Sequence, residues 1–464
     1  MPVKPKLKAR VRMYRLALGD CFLISFGKAS AKAKFDFHLL IDCGTLKGSP
    51  RTGVVPDVIA DISRLTGSKL DAVAVTHEHW DHLSAFAEHG DQFDQIRFAS
   101  VWMPWTEDPQ DPDPVARQLR DRFEPGLKAL GMAAGADPAV QSLLGFYGFD
   151  GATFGAAARI SENTRKGRDY VLNRKPVEQP FLSPGDVLEP LPGLRVYVLG
   201  PPRDSRQIRR DQPGAGETFE LAARAGVYSL GAALLQRFGE ADDPDREFVD
   251  NYFPFDRRYR AQSGEEQKST DALRRMVERY REEPGRCIDD DWMSGAAELA
   301  LQMDSDTNNA SLVLAFELVA SGKVMLFPGD AQVGNWESWH DIEFKVTSGT
   351  TTKKVKAEVL LRRTVLYKVG HHGSHNATRK PGGLESMTSP DLVAMIPTDS
   401  EFALARRPHP WLMPASGLAT ALDSKTKGRV LRADSDFPRT AAQKAKFPGK
   451  VTVSDLYIDY EVAD

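Results

Sequence analysis

Six consecutive residues, His77-Glu78-His79-Trp80-Asp81-His82, directly follow an apolar run at 71–75 and a threonine, and directly precede a helical pattern at 83–88. Three imidazoles and a carboxylate in so short a span offer neutral nitrogen and hard oxygen donors. That set suits Zn²⁺ or, with more carboxylate, Mn²⁺ or Fe²⁺. Only 10 histidines occur in 464 residues, so their concentration here is a strong signal. Layered α/β folds put their sites on loops at the carboxyl ends of strands, so the chain must present a strand, a tight turn and a helix in that order.

The flanking pattern meets this demand. Short apolar or alternating runs at 11–16, 22–26, 37–41 and 96–103 read as strands, and 57–65 places apolar residues at helical spacing before Gly67. Strand-like sequence returns at 194–199, 311–318, 324–327, 360–369 and 392–396, and the chain closes on an alternating run at 451–462. Two stretches break this pattern: 106–191 and 203–305 are charged and helix-compatible. The expectation is one α/β domain over 1–464 with two mainly helical insertions. Its core pieces are 7–105, 192–202, 306–340 and 355–464. Hydrophobic residues at 41% and charged residues at 27% exclude collagenous and largely disordered classes.

A net charge of −3 removes the global basic field of most nucleic-acid binders. The N-terminus is basic but has no apolar signal core, and no stretch approaches the roughly 18 apolar residues of a membrane span. A cytoplasmic protein without membrane contact is expected. Cys21, Cys43 and Cys287 are an odd number without CxxC spacing, so they are read as reduced and mostly buried rather than as a disulfide framework or a thiolate zinc site.

Two further motifs follow apolar strands: Pro328-Gly329-Asp330 after 324–327, and Gly370-His371-His372-Gly373-Ser374-His375 after 365–369. Adjacent histidines between glycines gain little from core packing, and glycine lets backbone approach an ion or phosphate closely. Taken together, strand–HxHxDH, strand–GD and strand–HHGS resemble the metallo-β-lactamase fold superfamily. The resemblance is narrowest to the class holding the DNA-uptake competence proteins' hydrolase domain and the phosphorylcholine esterases. Gly19-Asp20-Cys21-Phe22-Leu23-Ile24, Leu40-Ile41-Asp42-Cys43-Gly44, Asn308-Asn309-Ala310-Ser311-Leu312-Val313-Leu314 and His409-Pro410 carry that narrower likeness, which covers about half the chain.

The resemblance implies a four-layered αββα sandwich and a dinuclear hydrolase holding two divalent ions, Zn²⁺ or Mn²⁺. His77 and His79 would hold the first; Asp81, His82 and His372 the second, with His371 the alternative to His372; Asp330 would bridge them. Asp42 matches an aspartate that orients the ligand loop. Many relatives carry another histidine upstream of the Gly-Asp pair, where this chain has Asn308 or Asn309, and no histidine lies between His89 and His340 to replace it. The implied chemistry is attack by a hydroxide bridging the metals. Asp81 would orient that nucleophile, while His371 and His409 stabilise charge or protonate the leaving group and Ser374 borders the substrate.

Phosphodiester hydrolysis, by a nuclease or phosphodiesterase, is the leading expectation, with a nucleic acid or a small phosphodiester as substrate. Only 41 residues lie between Asp330 and His372, too few for the cap domain of RNA-processing relatives. Lys353, Lys354, Lys356, Arg362 and Arg363 fall in that interval and read as a solvated face or a phosphate track. The alternatives are hydrolysis of a small ester, lactone or amide, and a regulatory module whose insertions dock a partner protein. His38, His89 and His340 read as structural, His375 as a loop residue, Asp289-Asp290-Asp291 as a helix cap, and Trp336 and Trp339 as core.

Overall fold

Leucine, alanine, valine and methionine alternate with lysine and arginine from Leu7 to Tyr14, so one face of this first strand is apolar and the other carries cations. The computed structural model of the protein describes residues 5–30, 34–133, 138–148, 157–174, 181–210, 296–348, 351–406 and 410–464, with Arg275 and Arg279. Leu7–Tyr14 is the third strand of an eight-stranded mixed sheet whose order is Val451–Val453, Tyr457–Ala463, Leu7–Tyr14, Cys21–Lys28, Phe37–Cys43, Ala72–Ala74, Val101–Pro104 and Phe181–Leu182. From Phe37–Cys43 onward the neighbours are parallel. A seven-stranded sheet runs Val430–Arg432, Val393–Ile396, Thr364–Lys368, Lys323–Phe327, Val313–Leu318, Leu194–Gly200 and Val187–Leu191, with its first four strands parallel.

The inner faces of the two sheets share one core. Val11, Phe22 and Ile24 from the first meet Phe316, Phe327 and Met395 from the second, and the Phe22 and Phe327 rings pack edge to face at 5.7 Å. The outer face of the first sheet packs on the helices Val55–Thr66 and Trp80–Glu88 through Leu23, Leu40, Val58, Ile62, Leu83 and Phe86. The outer face of the second packs on Val333–Ser338, Ala357–Arg362 and Ser416–Thr426, where Trp336 and Trp339 are fully buried. The molecule is an α/β sandwich. No helix among the described residues is long and apolar enough to cross a membrane.

The first insertion supplies the helices Pro114–Ala133, Pro138–Leu144 and Ala157–Leu172. The last lies tight on Trp80–Glu88, since a Cβ at Gly167 would stand 2.8 Å from the Leu83 carbonyl oxygen. Phe181–Leu182 and Val187–Leu191 were expected inside this insertion but belong to the sheets. Two residues and a proline-interrupted five show no period to read. The interval 360–369 holds a helix end and a strand rather than one strand, and 451–462 is a hairpin turning at Asp455 and Leu456. Of the second insertion, Ser205–Ile208 and the helix Ala296–Asn309 are described; Cys287 and the acidic triplet at 289–291 lie outside the described residues.

Cys21 and Cys43, read from sequence as reduced and mostly buried, are both buried free thiols, and they are register partners with sulfurs 3.4 Å apart.

A buried ion network ties the two chain ends together. The Arg12 guanidinium donates to both Asp459 oxygens at 2.7 and 2.6 Å and to Asp61, which also accepts from the Tyr14 hydroxyl at 2.8 Å. Burial pushes the Asp61 carboxyl up, but Arg12, Tyr14 and Arg64 together hold it below its ordinary range. Removing one partner of a buried pair strands the other charge, so Arg12→Met should lower the unfolding free energy by about 3–5 kcal/mol at neutral pH. Because a depressed carboxylate contributes its full stability above its unfolded pKa, near 3.9, and loses it as pH falls through the folded value, the gap should narrow as pH falls below roughly 4. Urea denaturation across pH checks both statements. A loss below about 1 kcal/mol would mark the network as no stronger than a surface pair.

Candidate metal centre

The parallel strands of both sheets end at one edge, and four loops leaving them converge there. Cys43 leads to Gly44; Ala72–Ala74 leads to Thr76 and the histidine motif; Lys323–Phe327 leads to Gly329-Asp330; Thr364–Lys368 leads to His371-His372. Gly44 is required by proximity, because a Cβ there would meet the Asp81 carbonyl oxygen at 2.6 Å. Asp42, His371 and His372 take left-handed φ of 53°, 45° and 51°. Each such non-glycine residue costs on the order of 1–3 kcal/mol, a strain that persists where surrounding packing dictates the geometry.

The convergence gives three groups whose donor atoms lie within 4.8 Å of one another: His77, His82 and Asp330; Asp81, Asp330 and His372; Asp20, Asp42 and His82. His372 Nε2 is 2.8 Å from Asp81 Oδ2, and its Nδ1 donates to the Pro397 carbonyl at 2.7 Å. His82 Nε2 lies 3.2 Å from Asp330 Oδ2, and its Nδ1 lies 2.8 Å from Asp42 Oδ2. Asp42 also accepts from the backbone N–H and hydroxyl of Thr76 at 2.8 and 2.7 Å. His77 Nε2 and His79 Nδ1 face each other at 3.0 Å. His79 stands outside the three convergent groups and is walled by the Phe146 and Tyr147 rings at 5.6 and 5.1 Å.

These donors fit cations. Asp81 Oδ1, Asp330 Oδ2, His82 Nε2 and both His371 ring nitrogens are buried with no hydrogen-bond partner, a cost that a bound ion removes. Asp20, Asp42, Asp81 and Asp330 are at most 2% exposed, and among the described residues the lysine paired with them is Lys368. Burial holds the His77 imidazole well below its usual pKa and His79 down to about 3, the neutral form that ligates. Burial would also lower His82, but Asp330, Asp81, Asp42 and Asp20 hold it well above the usual value.

The remaining sequence candidates divide. The His371 backbone N–H donates to Asp330 Oδ1 at 2.9 Å, and its ring sits 5.9 Å from Phe146 with burial holding its pKa to about 4. Ser374 donates to Asn376 Oδ1 at 3.0 Å, and Asn309 Oδ1 accepts from the backbone N–H groups of Gln332 and Asn335, holding the segment that follows Asp330. Asn308 donates to Asp304 Oδ2 at 3.0 Å and leaves its own oxygen unpartnered. His409 lies outside the described residues. His38 bonds Ser25 and His340 pairs with Glu358, both at 2.9 Å.

The phosphate track is not supported. Lys353, Lys354 and Lys356 stand on an exposed hairpin, where Lys354 pairs with Glu343, and Arg363 pairs with Glu317 at the start of Thr364–Lys368, opposite the His371 end.

Three residues gained no role from sequence. Lys368 donates to Gly329 O at 2.8 Å and bridges Asp330, at 3.1 Å, to Asp20. Asp20 belongs to a recognised motif, while Lys368 read only as a strand end. Asp304, on Ala296–Asn309, comes 3.7 Å from His79 Nε2. Burial, with Asp81 and Asp330 nearby, pushes its carboxyl well up. A space of ≈ 550 Å³, continuous with solvent, adjoins His77 and is bordered by Glu78, Glu107, Arg120, Phe123, Met303 and Asp306. No family model matches the chain, and no curated protein matches it.

Proposed function

We propose that the chain is a dinuclear metal-dependent hydrolase with the four-layered αββα sandwich of the metallo-β-lactamase type, acting on a small phosphodiester. The convergence of His77, Asp81, His82, Asp330 and His372 with unpartnered buried donor atoms carries this reading. His77 and His79 would hold one ion and Asp81, His82 and His372 the other, with Asp330 contributing to both. Two divalent ions, Zn²⁺ or Mn²⁺, would supply Lewis acidity and lower the pKa of water at the centre.

The chain's own residues do the rest. Asp42 accepts from His82 Nδ1–H and Pro397 O from His372 Nδ1–H, leaving both Nε2 lone pairs toward the centre. The His371 imidazole, buried without a side-chain partner, is the group placed to exchange a proton with a leaving oxygen. The space beside His77 is where a small substrate is placed in this reading. Its border carries the carboxyl groups of Glu78, Glu107 and Asp306 against Arg120, whose Nη1 is committed to the Thr106 and Asp108 carbonyls. Arg168 pairs with both Glu78 and Glu107 behind that border.

Bis(p-nitrophenyl) phosphate, single- and double-stranded DNA, and RNA offered with Mn²⁺ or Zn²⁺ test the reading against a His77→Ala/Asp81→Ala double variant. The expected outcome is turnover of the small diester ahead of every polymer, reduced at least ~10³-fold in the variant. Equal turnover by the variant, or inertness toward all four substrates, overturns it.

A further inference from the structure

The two nitrogens of His79 face different partners. Nδ1 meets His77 Nε2 at 3.0 Å, on the side where the other histidines gather, and Nε2 meets Asp304 Oδ1 at 3.7 Å. Neither His79 Nε2 nor Asp304 Oδ1 has a hydrogen-bond partner, and both residues are buried, at 0% and 6% exposure. Two unpartnered, complementary atoms facing each other in a dry wall cannot be left apart without cost. The gap exceeds hydrogen-bond length by less than 1 Å and closes with a small turn of the ring.

Asp304 is itself aimed. It sits one helical turn before Asn308 on Ala296–Asn309, and the Asn308 side-chain amide donates to Asp304 Oδ2 at 3.0 Å. One carboxylate oxygen is thereby fixed and the other is turned toward the imidazole. The Tyr147 ring, edge-on to His79 at 5.1 Å, packs against the same imidazole.

We infer that Asp304 is the positioning residue of the first metal site: its carboxylate accepts from His79 Nε2–H, which fixes the tautomer whose Nδ1 lone pair, beside His77 Nε2, ligates the ion. A carboxylate behind a ligating histidine fixes its tautomer and ring orientation and raises its basicity. This matters more here than where a third imidazole is present, because at the positions upstream of Gly329-Asp330 Asn309 is committed to backbone and Asn308 to Asp304. The group comes from the helix that closes the second insertion, so that insertion helps to complete the centre. The inference rests on the assignment of His77 and His79 to a metal, and it does not depend on the substrate.

The test titrates the metal-free full chain, Asp304→Asn and Asp304→Ala with Co²⁺, read by the visible d–d bands and by the hyperfine-shifted imidazole N–H signals in proton NMR. The parent should take up two ions. Asp304→Ala should bind one of them about 10–100-fold more weakly, with the second unchanged and one exchangeable imidazole signal lost to solvent. Asp304→Asn, which keeps the shape and a neutral acceptor, should fall between parent and alanine variant. If circular dichroism shows Asp304→Ala unfolded, Asp304→Asn decides. Parent-like affinity and an intact set of N–H signals in the folded variants overturn the inference. A parent that binds no Co²⁺ overturns both it and the proposed function. A parent that binds two ions yet leaves every phosphodiester intact overturns the function alone.

Discussion

Asp330→Asn should cost the protein its paired metal binding, with bound metal falling from two ions per chain to one or fewer. Among the described residues, Asp330 is the carboxylate that falls both with His77 and His82 and with Asp81 and His372. Its Oδ1 accepts from Lys368 at 3.1 Å and from the His371 N–H at 2.9 Å, which leaves Oδ2 unpartnered beside His82. Asparagine keeps the shape and an acceptor at Oδ1 but removes the charge that two cations share. Lewis-acid stabilisation is worth several kcal/mol, and each 1.36 kcal/mol is tenfold in rate, so turnover should fall by about 10³-fold or more. Metal analysis after exhaustive dialysis, with parallel rate measurements, reads both effects. Two retained ions and parental turnover would remove Asp330 from the centre.

The parts of this site that were legible in the sequence are those whose chemistry is local. His77 to His82 stand within one turn and one helix start, so residue type, spacing and the preceding apolar strand announced them together. Asp330 and His372 were legible through the glycines and strands beside them, and the turn at 371–373 does take the left-handed backbone that this crowding requires. Asp42 needed the family resemblance, since an aspartate closing a strand has no distinctive local pattern.

Lys368 and Asp304 had no local signal at all. A lysine at a strand terminus usually reaches solvent, and only the approach of Asp20 and Asp330 from two other strand ends makes it a buried cation. Asp304 occupies a helix whose pattern was read as insertion, and its meaning depends on a histidine 225 positions earlier. The same limit explains the basic segment. Sequence proximity to Asp330 and His371 suggested spatial proximity, but strand direction puts Arg362 and Arg363 at the far end of the sheet.

Lys368→Met should be the most destabilising substitution at the centre, and its effect should depend on metal. The side chain is 2% exposed between Asp20 and Asp330. Removing it leaves two buried carboxylates facing each other, a loss of about 3–5 kcal/mol. Burial pushes the Asp330 carboxyl up, yet Lys368 and His82 hold it well below its ordinary value, while Asp20 and Asp330 hold the Lys368 ammonium above its own despite burial. A depressed carboxylate contributes stability above its unfolded pKa, near 3.9, and loses it as pH falls through the folded value; a raised lysine contributes below its unfolded pKa, near 10.4, and loses it as pH rises through the folded one. Both contributions are present in full across the neutral range, so the gap between parent and variant should be widest there and narrow below about pH 4. Saturating Zn²⁺ or Mn²⁺ should restore part of the loss, because an ion that binds only the folded chain stabilises it by mass action, about 2.7 kcal/mol at a hundredfold excess over Kd. Thermal unfolding of parent and variant at several pH values, with and without metal, separates these effects. A variant as stable as the parent without metal would mean that the carboxylates carry protons rather than charge, and that Lys368 does not hold the centre together.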